Sequence, residues 1–187
     1  MKKLIYAFVI IGFTVACSNS NNNEQATDEV EQNKELTKED LITNIENLES
    51  KLYANKDKYD TKLALEVLDA YKAFLKKYPS DEKSPAYTFK AGEIAMSLNK
   101  SQEAIAFFTR VNDNYKEFDK SSYALFLTAF VYDTQVKDYT QARKYYEAFI
   151  NKYPNHELID DAKASLQNLG KTPEELIEEF KKKNQSA

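Results

Sequence analysis

The chain carries 30 acidic and 26 basic side chains in 187 residues, with one cysteine, one histidine, three glycines, four prolines and no tryptophan. That balance gives no basic footprint for nucleic acid, and a lone thiol gives no intramolecular disulfide. Scarce glycine and proline among many Lys, Glu, Ala and Leu argue against a turn-rich sheet protein and predict an all-α domain.

The first element, residues 1–16, has a basic flank at Lys2 and Lys3 and an apolar run from Leu4 to Val15. The run is shorter than the ~20 residues a membrane-spanning helix needs, and with Ala16 ahead of a cut site it predicts a secretory signal. The position of Cys17 resembles a bacterial lipoprotein signal, with Thr14 where leucine is usual. The resemblance implies cleavage before Cys17 and a lipid on its thiol; a plain secretory signal with an incidental cysteine, or an uncleaved anchor, is the alternative. Residues 17–36 follow as a polar tether, rich in asparagine and with Ala26 and Val30 the apolar residues between 18 and 35. Such a segment buries too little surface to offset its ordering entropy and reads as a flexible spacer. Ser18 and Asn19, with no acid beside the cysteine, resemble an outer-membrane sorting signal. The implied location is the bacterial envelope, lipid-anchored and facing the periplasm. Without Lys2 and Lys3, 24 basic and 30 acidic residues remain.

Residues 37–187 read as helices throughout. Thr37-Lys38-Glu39-Asp40 is a capping box with Asp in place of Glu, and Leu41, Ile45, Leu48 and Leu52 behind it form one helical face. Lys56 to Asp60 is a polar loop. Leu63, Val67, Tyr71, Phe74 and Tyr78 define a second helix, ended by Pro79. Ser84 is the expected N-cap of a third, with Pro85 in its first turn, running to about Leu98. Ser101 caps a fourth through Tyr115, and Ser121 or Ser122 a fifth from Tyr123 to about Lys137. Thr140 caps a sixth through Lys152. A seventh spans His156 to Leu169 and stops at Gly170. Thr172-Pro173-Glu174-Glu175 opens an eighth, Glu174 to about Lys182, whose last lysines (Lys181, Lys182, Lys183) suit the helix dipole.

A nine-residue phrase occurs twice. Tyr71-Lys-Ala-Phe-Leu-Lys-Lys-Tyr-Pro79 returns as Tyr146-Glu-Ala-Phe-Ile-Asn-Lys-Tyr-Pro154, with six identities at an offset of 75 residues, and Phe108 to Tyr115 is a weaker copy midway. A period of 37–38 residues marks an array of helix pairs, each too small to bury its own apolar face. The pattern resembles tetratricopeptide repeats. Gly92, Ala104 and Phe108 fit the small residue, the alanine twelve on and the aromatic four beyond. Phe130, Ala142, Tyr146 and Pro154 fit them in the next unit, with Phe130 too large for the small position. The first unit matches at Val67, Tyr71 and Pro79. Residues 61–169 are similar to envelope repeat lipoproteins, including the helical lipoprotein of the outer-membrane β-barrel assembly machinery and the Tol-Pal-associated periplasmic repeat protein. The tail Leu169 to Ile177 resembles that of small tetratricopeptide-repeat lipoproteins. The implied fold is an α-solenoid of about three helix pairs plus a C-terminal helical hairpin; an ordinary helical bundle is the alternative.

The resemblance implies a non-catalytic scaffold or adaptor, binding envelope proteins or extended peptides in a groove lined by the first helix of each pair. The groove positions are Phe89, Lys90, Glu93, Met96 and Ser97, continuing with Leu127, Thr128, Val131, Thr134 and Gln135. A glycan or small-molecule binder is the competing reading, and an envelope hydrolase a third. No cofactor or metal is expected: His156 reads as an exposed turn residue, and no Cys/His cluster has ligand spacing. The pairs Asp160/Asp161, Glu174/Glu175 and Glu178/Glu179 point apart on their helices rather than converging.

Overall fold

The protein is described here from a computed structural model, over residues 36–54 and 59–185. The expected signal, Cys17, the tether up to residue 35, loop residues 56–58 and the side chain of Lys183 lie outside the described residues. Among those described there are eight α-helices and no strand: α1 Lys38–Ala54, α2 Thr61–Lys77, α3 Ser84–Ser97, α4 Ser101–Asn114, α5 Ser121–Val131, α6 Tyr139–Lys152, α7 Ile159–Asn168 and α8 Pro173–Gln185. A π-helical turn, Tyr132–Val136, prolongs α5.

Each helix from α1 to α6 packs on the next, and the substantial contacts all join neighbours. This is the one-dimensional connectivity of an α-solenoid. The even helices bury a single stripe: Val67, Leu68, Tyr71, Phe74 and Leu75 in α2, Ala104, Ile105, Phe108 and Val111 in α4, Ala142, Tyr146 and Phe149 in α6. Every helix from α2 to α6 lies between two neighbours, but α3 and α5 are buried on more than one side, in keeping with their small, polar-dotted composition. Thr88 and Thr128 are fully buried, and their hydroxyls donate to the Ser84 and Ala124 carbonyls at 2.7 and 2.8 Å. One core runs from α1 into α5, and a second joins α5, α6 and α7.

The loops between pairs repeat one hydrogen-bond frame. Tyr78, Tyr115 and Tyr153 end α2, α4 and α6 with φ/ψ of −129/60, −130/54 and −130/59. The carbonyl of each accepts the N–H three residues on (Asp81, Phe118, His156), and that residue's carbonyl accepts from Ser84, Ser121 or Ile159. The Tyr115 hydroxyl also donates to the Pro79 carbonyl at 2.8 Å, tying consecutive loops together.

Helix starts follow the expected chemistry at both capping boxes. The Asp40 carboxylate accepts from the Thr37 N–H at 2.9 Å while Asp40 N–H donates to the Thr37 hydroxyl, and Thr172 and Glu175 reciprocate in the same way. The serines and Thr140 do not cap. Asp60 and Asp138 are the side-chain caps of α2 and α6, accepting from Leu63 and Gln141 N–H. Ser84 and Ser101 are first helical residues whose hydroxyls donate instead to the Tyr78 carbonyl and to Gln135 Oε1. Ser121 and Ser122, both buried, reach Asn112 and His156. α7 begins at Ile159, because His156 is held in the loop frame.

The small-residue position is also corrected in the third pair. In the second pair it is Gly92: a Cβ there would lie 2.6 Å from Phe108 Cε1. Burial along α5 follows α3 at an offset of 37, which sets Ala129 opposite Gly92 and the exposed Phe130 opposite the exposed Glu93. α6 follows α4 at an offset of 38. The π turn absorbs that one extra residue.

Candidate functional site

A cleft of about 500 Å³ opens where α3, α5 and the loop before α7 meet. Phe89 and Glu93 come from α3, Asp119 and Lys120 from the loop before α5, Tyr123, Phe126 and Leu127 from α5, and Leu158 closes the far side. The i, i+3, i+4 spacing of Tyr123, Phe126 and Leu127 puts them on one side of α5. Phe126 is fixed from below, edge-on to Tyr146 and Phe149 at 5.7 and 5.6 Å. Phe89 packs against Phe108 and Phe118 at 5.7 and 6.2 Å, and Lys120 Nζ lies 5.1 Å over its ring. At the rim, the Tyr123 hydroxyl donates to Glu157 and its ring meets His156 at 4.8 Å.

Of the ten expected groove residues, the structure brings Phe89, Glu93 and Leu127 to this cleft, but Phe89 is corrected as an exposed position: it is a buried core residue, 3% exposed, at the cleft's base. Thr128 and Val131 are corrected: both are fully buried and present nothing to a partner. α5 is covered on two sides, so a face inferred from one stripe takes in core positions. Lys90 Nζ bonds both Glu49 oxygens, at 2.9 and 3.1 Å, and so ties α3 to α1. The Ser97 hydroxyl meets Tyr59 and donates to the Ile94 carbonyl. Thr134 donates to the Phe130 carbonyl, and Gln135 donates to the Met96 carbonyl at 2.8 Å. Met96 itself is half-buried against the first core. Sequence reasoning missed Asp119, Lys120, Tyr123, Phe126 and Leu158. The spacing within α5 was a usable signal for Tyr123 and Phe126; no periodic signal marks the loop residues. The repeat-signature residues Gly92, Ala104, Phe108, Ala142 and Tyr146 are all buried, while Pro79 and Pro154 follow the helix-ending tyrosines at the surface.

The cleft carries an uneven charge. Partial withdrawal from water in the cleft raises the Glu93 carboxyl above the ordinary carboxylate range, against the opposing pull of Lys120 and Lys90. Glu93 and Asp119 have no hydrogen-bonded or ion-paired side chain among the described residues.

His156 is half-buried, a correction to its exposed reading. Its Nδ1 accepts the Leu158 N–H at 3.1 Å, so the ring proton resides on Nε2, which faces the Ser122 hydroxyl at 3.0 Å. In this tautomer Nε2 has no lone pair free to take a proton from Ser122, so the pair is not an activated nucleophile. A second hollow of about 380 Å³ lies beside the π turn, with Asp133, Lys137, Asp161, Ser165 and Lys171 on its walls. Burial raises the Asp133 carboxyl, and the Tyr146 hydroxyl stands 3.5 Å away. Among the described residues no three His, Cys, Asp or Glu side chains gather as metal ligands, and no helix is long and apolar enough to cross a membrane.

Residues 123–156 match the family model described as tetratricopeptide repeat. That span is one helix pair, from the first turn of α5 through the π turn and α6 to the loop histidine. No curated protein matches the chain with significance. The described residues form an α-solenoid of consecutive helix pairs with a recurrent loop frame, and the α5–α6 pair is similar to a tetratricopeptide repeat.

Proposed function

We propose that this tetratricopeptide-like solenoid is a non-catalytic scaffold. It seats segments of partner proteins in the cleft between α3, α5 and the loop before α7. The carrying observation is the cleft itself, which opens to solvent and whose apolar lining comes from three separate elements. Repeat arrays use such inter-repeat surfaces for protein partners. The Ser122–His156 tautomer supports the non-catalytic reading. The envelope setting rests on the resemblance of residues 1–17 to a lipoprotein signal. Cys17 would anchor the chain, and roles in outer-membrane protein assembly or envelope organisation follow from the repeat resemblance.

The test is affinity purification of the tagged full chain after in-cell crosslinking, alongside a Glu93→Trp variant that fills the cleft with a large ring. Envelope proteins recovered with the wild type and lost with the variant support the reading. Recovery of the chain alone, or of the same proteins with both, sinks it. Separately, Cys17→Ala should shift the protein from the membrane to the soluble fraction; unchanged membrane association would remove the anchor.

A glycan reading would need an exposed, parallel aromatic platform. The stacked pair Tyr132–Tyr145, 5.5 Å apart and tilted by 14°, is half-buried and lines a separate hollow of about 530 Å³ beside Arg110 and Asp113, so it adds no platform to the cleft between α3 and α5.

A further inference from the structure

The cleft's charges discriminate between partners. Lys120 is engaged with the face of Phe89, and Lys90 is held by both oxygens of Glu49, so neither ammonium closes on Glu93. Asp119 stands at the same mouth, and Glu157 at the rim already accepts from Tyr123. Two carboxylates therefore line an apolar hollow whose one lining cation lies against a ring, and a third, Glu157, is tied to its Tyr123 wall. We propose that the cleft takes a protein segment in which a lysine or arginine neighbours a large apolar side chain. The apolar group seats against Phe126, Leu127 and Leu158, which are half-buried walls of the cleft, and the cation meets Glu93 and Asp119.

This rests on the scaffold reading and names the chemistry of its partner. A cleft of about 500 Å³ accepts one large side chain together with the stem of a basic neighbour. The long aliphatic stems of lysine and arginine suit such a wall, because they bury methylenes while the charged head stays at the mouth. A cation arriving beside Glu93 and Asp119 meets two carboxylates on which no ammonium has closed, which favours it over a neutral segment. An acidic segment would bring like charge to Glu93, Asp119 and Glu157, and such juxtaposition selects against a partner.

The experiment is selection of random dodecapeptides displayed on phage, against the purified full chain and against its Glu93→Lys/Asp119→Lys variant. Both substituted positions are exposed, and matching thermal unfolding of the two proteins checks that the fold is kept. Wild type should enrich peptides with Lys or Arg next to Leu, Ile, Phe or Tyr. The variant should bind those peptides at least about tenfold more weakly, a loss of about 1.4 kcal/mol, and should enrich acidic ones instead. Enrichment in the wild type without a basic preference, or the same preference in both proteins, overturns the proposal while leaving the scaffold reading standing. Failure of either protein to enrich any peptide removes both.

Discussion

Gly92 shows how closely two helices of this chain approach. The methyl group of an alanine there would lie 2.6 Å from the Phe108 ring, well inside contact distance. Gly92→Ala gains about 1 kcal/mol of helix propensity but overpacks a buried site at a cost of about 1–3 kcal/mol. The expected result is net destabilisation in chemical denaturation, largely relieved when Phe108→Leu removes the ring. A neutral or stabilising Gly92→Ala would show that the ring moves aside freely. Glu93 gives the second residue-scale prediction. Its folded-state pKa is raised, so the native state binds the proton more readily than the unfolded chain and stability falls as pH climbs through the folded pKa. Glu93→Gln should therefore unfold at a higher temperature than wild type at neutral pH. The gap should close as pH drops below the ordinary glutamate range. Equal melting at both pH values would mean that water reaches the carboxylate freely. An acid that weakens the fold at neutral pH fits a residue placed for a partner's cation.

The eight helices were legible because their apolar spacing is helical and their breaks fall at Pro79, Asn99, Gly170 and polar loops. Both capping boxes were legible for a local reason: each is closed by side chains three residues apart. The serine caps were not. Serine shares its capping preference with aspartate, and only burial reveals that Ser84 and Ser121 are loop ties. The small-residue position in the third pair was misplaced by one because a π turn leaves no compositional mark. That turn makes a prediction. Deleting the exposed Thr134 removes the extra residue, lets α5 continue as an α-helix and keeps Ala129 against α6. Its cost in stability should stay at about 1 kcal/mol, the centre of the range for single changes. Deleting Ser97 from α3, which has no surplus residue, should be clearly worse by thermal melts monitored through circular dichroism. Equal damage from the two deletions would sink the register argument.

At the scale of the whole chain, contacts between neighbours make stability a sum of local terms, so damage should stay local. Phe149 is fully buried in the second core. Phe149→Ala should cost about 3–5 kcal/mol and raise hydrogen exchange in α6 and α7 while α2 to α4 keep their protection. Uniform loss of protection would mean that the two cores unfold as one. The repeat array was legible at this scale because its period survives divergence of individual residues. The cleft was only partly so. Periodicity reports which residues share a stripe, but helices buried on two sides have no single exposed stripe, and Asp119 and Lys120 lie on a loop outside any period.

The recurrent loop frame has a consequence for how such a chain lengthens. Tyr115 and Tyr153 leave their helices with the same backbone direction, to within a few degrees, and hand it to the same pair of hydrogen bonds. The residue in the middle of that frame is Asp81, Phe118 or His156; the shared bonds are main chain and accept three different side chains, and Asp81 and His156 each add a bond from the N–H two residues on. A copy of residues 116–153 spliced in after Tyr153 would meet a matching joint at both ends. A gene that duplicates this segment in frame gains a complete new pair, and the fold keeps a socket at which the chain can grow.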